Sequence, residues 1–177
     1  LKKTFLERNI SIEGKTVVVA GAGGAANSAA ILAGEEKAER LVIINRTAER
    51  AELLAQRVRK YYPTPVETMG YDNIMSINEP EIFIQTTSVG MGNDFQSTPI
   101  NNASFFDKVK FAVDIIYTPW ETKLIKDATE HGAKTANGFD MLFYQGLASF
   151  EIWHDVSVDS DTAFMLKKKL TEFYLRR

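Results

Sequence analysis

With 177 residues the chain is long enough to bury a core in one domain without disulfide or metal staples, and its 45% hydrophobic and 25% charged residues exclude a disordered, collagen-like or coiled-coil chain. The 21 Lys and Arg against 23 Asp and Glu leave a formal charge of -2, which offers no basic excess to a nucleic-acid backbone or an anionic membrane and points to a small-molecule partner. The absence of cysteine excludes disulfides, thiolate catalysis, iron–sulfur clusters and thiolate zinc sites, and fits a cytoplasmic setting.

Residues 1–14 open on Leu1 with the charged helical stretch LKKTFLER and read as a linking helix, the end of something that precedes it. From residue 15 to 177 the pattern is that of one domain. Four short runs are continuously apolar rather than alternating: 16–20 (TVVVA), 41–45 (LVIIN), 82–86 (IFIQT) and 111–116 (FAVDII). Such runs suit parallel strands covered on both faces. An Ala-rich segment, 25–33, separates the first two, and 47–61 carries Ala51, Leu54, Ala55 and Val58 at helical spacing. The order strand-helix-strand-helix predicts an α/β, Rossmann-like, doubly wound, mostly parallel sheet with helices on both faces. Its ligand site is expected in the loops at the carboxyl ends of the strands.

Two prolines in 62–65 (YPTP) end the second helix and lead to a short strand near Val66. Residues 90–102, rich in Gly, Asn, Ser and Pro, read as a long loop. Two helices, 139–153 and 162–175, close the chain and are expected to pack beyond the sheet; the second carries Phe164, Leu166, Leu170 and Phe173. The longest apolar run, 16–30, is broken by glycines and too short to span a bilayer.

Directly after the first strand stands Gly21-Ala22-Gly23-Gly24-Ala25-Ala26, directly before a helix. In that context Gly21 permits a tight turn, Gly23 admits a pyrophosphate close to backbone, and Ala26 lets helix and strand pack closely. Asn45-Arg46-Thr47-Ala48-Glu49-Arg50 begins 24 positions after Gly21, at the end of the second strand. An NAD-binding fold usually places a carboxylate there for the ribose 2'-hydroxyl. Asn45 is neutral, and a neutral amide followed by Arg46 leaves room for a 2'-phosphate. Thr47 is predicted as a helix N-cap, which puts Arg50 in the first helical turn, where a bound anion would offset its unfavourable charge. Asn45, Arg46, Thr47 and Arg50 therefore form a candidate phosphate clamp that selects NADP over NAD; the alternative is that both arginines are solvated surface charges.

Together GAGGAA, NRTAER, TTSVGM, VDIIYTPWETKL and NGFDMLFYQGLASFEIW, in that order over most of 16–153, resemble the cofactor-binding half of the shikimate dehydrogenase family. That resemblance implies NADP-dependent interconversion of shikimate and 3-dehydroshikimate in aromatic amino-acid biosynthesis. It implies that Gly21, Ala22, Gly23, Gly24 and Ala25 cradle the pyrophosphate, and that Asn45, Arg46, Thr47 and Arg50 hold the adenosine ribose and its 2'-phosphate. Thr86, Thr87 and Ser88 would border the adenosine half through backbone and hydroxyl contacts. Ile115 and Gly138 would meet the nicotinamide, and Tyr117 and Gln145 the substrate. By their residue types alone Tyr117 reads equally as a core aromatic and Gln145 as an exposed helix residue, and Met91 and Met141 read as packing residues.

Gln85 stands where the family commonly has Asn or a smaller residue, Thr118 where Asn is common, and Phe139 and Gly146 where Leu and Ala are usual. These departures bear on shikimate against quinate preference. The family's catalytic Lys and Asp belong to a substrate domain of about 100 residues that would precede this one, so no catalytic residue is assigned within this chain. His131 reads as a residue at a helix C-terminus and His154 as a surface residue; with no ligand cluster at metal spacing, no metal site is predicted. Two other readings use a glycine turn after the first strand: an NADP-binding sensor or scaffold, and an S-adenosylmethionine methyltransferase, which would want an acidic residue near Asn45.

Overall fold

The computed structural model describes residues 1–176. Strands β1 (Thr16–Ala20), β2 (Arg40–Ile44), β3 (Val66–Met69), β4 (Ile82–Gln85), β5 (Phe111–Asp114) and β6 (Lys134–Ala136) form one six-stranded sheet. The order is β3-β2-β1-β4-β5-β6 and every neighbouring pair is parallel. The strand order reverses between β1 and β4, and a doubly wound sheet opens its ligand crevice at such a switch point.

Continuous apolarity in β1 has a direct cause: both faces of the strand are covered. Val17 and Val19 join the core under helices α2 (Gly24–Glu35) and α3 (Ala48–Tyr61), while Val18 and Ala20 join a second core with Phe83, Phe105 and Phe106. In the second core the three phenylalanines meet edge to face with centroids 5.4–5.6 Å apart, the arrangement that ring quadrupoles favour. Helix α3 buries Ala51, Leu54, Ala55 and Val58, the four residues whose spacing predicted it. In α2 the alanines at 26, 29, 30 and 33 are buried, so the helix lies close on the sheet.

Apart from the added strand β6, the strands differ from the sequence expectation at their ends. Strand β2 runs one residue earlier than 41–45, which leaves Asn45 just outside it; β4 and β5 stop at Gln85 and Asp114, before 86 and 116. The long loop at 90–102 contains a 3-10 turn, Gly92–Asp94, and two further 3-10 segments, Tyr71–Ser76 and Ala103–Lys108, cover the second core. Helix α1 (Lys2–Leu6) is only five residues long, and its Phe5 packs edge-on against Phe111 at 5.2 Å.

After α4 (Lys123–Glu130) and β6, two long helices follow, α5 (Phe139–His154) and α6 (Ser160–Leu175), close to the predicted spans. Asp159 caps α6 by accepting from the Thr162 N–H at 2.9 Å. The buried Asp140 carboxylate on α5 accepts from Arg8 Nη1 at 2.5 Å and from Lys167 Nζ of α6 at 2.5 Å, and Lys167 also pairs with Glu7. Among the described residues no helix is long and apolar enough to cross a membrane, and no three His, Cys, Asp or Glu side chains are grouped so as to hold a metal ion.

Candidate cofactor site at the strand carboxyl ends

Gly21 leaves β1 with φ +116 and donates its N–H to the Ile44 carbonyl at 2.7 Å, so the turn crosses the end of β2. On its other side a Cβ would stand 2.4 Å from Thr86 Oγ1. Glycine is required twice here, by the left-handed backbone and by the neighbouring strand. Gly23 then occupies the N-cap of α2 with no side-chain cap, and a Cβ on either Gly23 or Gly24 would meet nothing within 4 Å. The first turn of α2 therefore has no side-chain cap and has room beside its glycines, and the uncapped N–H groups of a helix N-terminus are the donor set an anion needs. A cavity of about 470 Å³ adjoins them; Gly24, Ala25 and Ser28 form one wall, and Met141, Tyr144 and Gln145 of α5 the other.

At the end of β2, Asn45 Nδ2 donates to the Thr47 carbonyl at 2.8 Å, tying the turn. Thr47 is the N-cap residue of α3 as predicted, yet its hydroxyl makes no capping hydrogen bond. The hydroxyl and the first N–H groups of α3 are left for a ligand. Arg46 and Arg50 are exposed, and among the described residues neither guanidinium has a hydrogen-bond or ion-pair partner, whereas Arg8, Arg40, Arg57 and Arg59 all have one. Glu49 sets one carboxylate against the two guanidiniums in this corner. Tyr71, which the sequence reading did not single out, lies beside Arg46: burial raises its hydroxyl above the usual phenol range, and the Arg46 charge opposes that shift.

The loop after β4 is organised from below by Gln85. Its side chain is fully buried; Oε1 accepts from the Thr87 N–H and hydroxyl, each at 3.0 Å, and Nε2 donates to the Val89 carbonyl at 3.0 Å. Thr86 donates its hydroxyl to the Ala20 carbonyl at 2.6 Å. Both hydroxyl hydrogens are thus committed to the fold, which leaves Thr86 and Thr87 only acceptor lone pairs to offer outward, while Ser88, exposed and without a side-chain partner among the described residues, keeps a free hydroxyl.

A second cavity, about 350 Å³, opens between this loop and the one after β5; Thr86, Ser88 and Met91 face Ile115, Tyr117 and Thr118 across it. Met91, 54% exposed, is on the cavity wall rather than in the core, so the packing role read for it does not hold; Met141 is half-buried on the wall of the first cavity. Gly138 caps α5 and donates its N–H to the Ile116 carbonyl at 3.0 Å, with a Cβ position only 1.8 Å from the Ile115 oxygen. Ile115 and Gly138, 23 positions apart in sequence, are thus in contact. Gln145 is exposed and faces the α2 N-terminus across the first cavity, and Tyr117 is half-buried in the second. The clamp residues at 45–50 line neither cavity.

Asp114, to which the sequence assigned no role, pins the turn that carries Ile115 and Tyr117. It is fully buried and accepts from the Ile116 N–H at 3.0 Å and the Thr122 hydroxyl at 2.7 Å. Burial pushes its carboxyl up from 3.8 to about 6, against those two bonds. The native state then holds more protons on this group than the unfolded state between about pH 4 and 6, so its contribution to stability falls as pH rises through that window and is constant above it. Asp114→Asn keeps an acceptor for Ile116 and is expected to gain on the parent protein by up to about 3 kcal/mol between pH 4 and 7 in urea unfolding. A pH-independent difference would contradict this.

Fold and site together define a Rossmann-like α/β domain with glycine-turn and strand-end geometry suited to a phosphorylated dinucleotide. Residues 3–115 match the family model of shikimate / quinate 5-dehydrogenase. The chain belongs to that family. It is 36% identical over 168 residues to a shikimate dehydrogenase (NADP(+)) of Alkaliphilus metalliredigens, covering 92% of this chain and 59% of that protein. Among solved structures it is similar to a chorismate mutase/shikimate 5-dehydrogenase fusion protein from Clostridium acetobutylicum, with TM-score 0.87 and 28% identity over 98% of this chain and 60% of that one. It is similar too to a shikimate dehydrogenase in complex with NADP+, with TM-score 0.80 and 31% identity over 98% of this chain and 60% of that one. The chain therefore spans about three-fifths of the length of the relatives it matches.

Proposed function

We propose that this chain is the cofactor-binding part of a cytoplasmic, NADP-dependent shikimate dehydrogenase, with 1–14 as the linking segment and 15–177 as the NADP-binding domain. The observation that carries the reading is the end of β2: two arginines without a hydrogen-bond or ion-pair partner among the described residues, on a helix N-terminus with no side-chain cap, and a neutral Asn45 where a carboxylate would repel a 2'-phosphate. The open first turn of α2 suits the pyrophosphate, held by backbone at 21–25. Thr86, Thr87 and Ser88 border the adenosine half through backbone and hydroxyl contacts; Ile115 and Gly138 meet the nicotinamide; Tyr117 and Gln145 face the substrate.

When bound, NADPH supplies the hydride that reduces the C3 ketone of 3-dehydroshikimate to the alcohol, the oxygen taking a proton. This chain's residues fix the cofactor and one wall of the substrate site. The proton-transferring Lys and its Asp partner are assigned to the substrate domain, and orientation plus proton transfer both require it. Calorimetric titration of this chain is expected to give NADP binding at least tenfold tighter than NAD and none for S-adenosylmethionine, while shikimate and quinate are oxidised at a small fraction of a dehydrogenase's ordinary rate. Equal affinity for NADP and NAD, or shikimate turnover at an ordinary rate by this chain alone, would contradict the assignment. An NADP-binding sensor is distinguished by the complete protein, which would bind the cofactor and oxidise neither acid.

A further inference from the structure

The substrate-facing turn after β5 is held from two directions. Asn137 Nδ2 donates to the Trp120 carbonyl at 2.9 Å and Gly138 N–H to the Ile116 carbonyl at 3.0 Å, which fixes its backbone. Its side chains are held by one residue of the last helix. Tyr174 shares a hydrogen bond with the Thr118 hydroxyl, meets the Tyr117 ring edge to face at 6.2 Å, and packs on Trp120 at 5.8 Å and Phe139 at 5.9 Å. Among the described residues Tyr174 is the aromatic neighbour of Tyr117.

The helix that carries Tyr174 is itself fastened on the same face. Lys167 lies seven residues earlier, two helical turns away, and pairs with the buried Asp140 at 2.5 Å and with Glu7. Elsewhere α6 is lightly held: Ala163 is its buried residue, and Phe164, Met165 and Leu166 are exposed. Helix α6 is thus a strap with an ionic anchor midway and an aromatic anchor at its end. The aromatic anchor falls on Tyr117 and Thr118, two of the residues that line the second cavity.

We propose that Tyr174 is a positioning residue, whose ring and hydroxyl hold Tyr117 and Thr118 in the orientation the substrate meets; this rests on the dehydrogenase reading above. A tyrosine ring free to rotate about two torsions presents its hydroxyl to a ring substrate only part of the time, and an edge contact on its flank restricts it. Tyr174 contacts none of the residues assigned to the pyrophosphate or the 2'-phosphate. Its loss should therefore be felt by substrate and not by cofactor.

Two measurements test this. In the 177-residue chain, the ring resonances of Tyr117 in an NMR spectrum are expected to move toward random-coil values in Tyr174→Ala and to stay near native in Tyr174→Phe, with NADP affinity within twofold of the parent for both. In the complete enzyme, Tyr174→Ala is expected to raise the KM for shikimate about tenfold and Tyr174→Phe about threefold, with the KM for NADP unchanged, and in a Tyr117→Ala background Tyr174→Ala should add only the roughly threefold share that acts through Thr118. Unmoved Tyr117 resonances, a parallel rise in both KM values, or the full tenfold effect of Tyr174→Ala persisting in the Tyr117→Ala background would overturn the inference. Absence of shikimate oxidation by the unsubstituted complete enzyme would instead remove the dehydrogenase reading, and Tyr174's role with it.

Discussion

Replacing Arg46 and Arg50 together by alanine is expected to weaken NADP binding by about 100-fold and to leave NAD within about twofold. A hydrogen bond to a charged group contributes about 1.5–3 kcal/mol, so losing one from each guanidinium removes roughly 3 kcal/mol, which is about two decades in affinity. NAD lacks the phosphoryl group and has nothing to lose there. Because the corner is exposed, the loss should shrink as ionic strength rises and the charges are screened. Lysine at both positions should recover only part of the binding, since an ammonium lacks the planar two-donor fork. Calorimetry with both nucleotides at two salt concentrations reads every term; an equal loss for NADP and NAD would mean that the arginines do not touch the 2'-phosphate.

Gly138→Ala should be among the most damaging single methyl additions in the chain. The new carbon would stand 1.8 Å from the Ile115 oxygen and 2.3 Å from its carbonyl carbon, both backbone atoms. No side chain can rotate away, so the N-terminus of α5 must part from the β5 loop, with loss of the Gly138–Ile116 bond and disturbance of Asn137 against Trp120. A clash of this kind is expected to cost about 3–5 kcal/mol, or roughly a 10 °C fall in Tm for a domain of this size. Gly146→Ala supplies the contrast: it lies inside α5, a Cβ there meets nothing within 4 Å, and alanine should stabilise by about 0.5–1 kcal/mol. Thermal and urea unfolding of the two variants should therefore move in opposite directions. A change below about 1 kcal/mol for Gly138→Ala would contradict the packing described for that junction.

The parts of the fold legible in the sequence are those where one local rule and one long-range demand agree. TVVVA followed by GAGGAA gave β1, its turn and α2 because a strand buried on both faces must be apolar throughout and its crossing turn admits only glycine at position 21. Strand β6 was not legible. It is three residues, KTA, with an exposed lysine, and it exists because β5 offers it a ladder. The free hydroxyl of Thr47 was equally out of reach, since cap preference names the residue and not the bond it makes.

Polar residues at the ends of apolar runs did carry a signal. Gln85 and Asp114 each close a strand of otherwise apolar side chains, and a polar group buried there must be fully bonded, as both are. The sequence marked their positions but not that they brace the two loops of the second cavity. Tyr174 and Thr118 are 56 positions apart, and Lys167 and Asp140 are 27 apart. Contacts at such separations follow from how α6 lies on α5, which no local pattern encodes.

The cationic corner at the end of β2 is probed most directly by the phosphorus resonance of the 2'-phosphate of NADP bound to this chain, followed as pH is lowered. A free phosphate monoester takes up its second proton near pH about 6, and two adjacent guanidiniums favour the dianion. The resonance is predicted to stay that of the dianion down to about pH 5 on the parent chain and to titrate near 6 on Arg46→Ala, Arg50→Ala. Titration of the bound phosphate at its free midpoint on the parent chain would contradict the account.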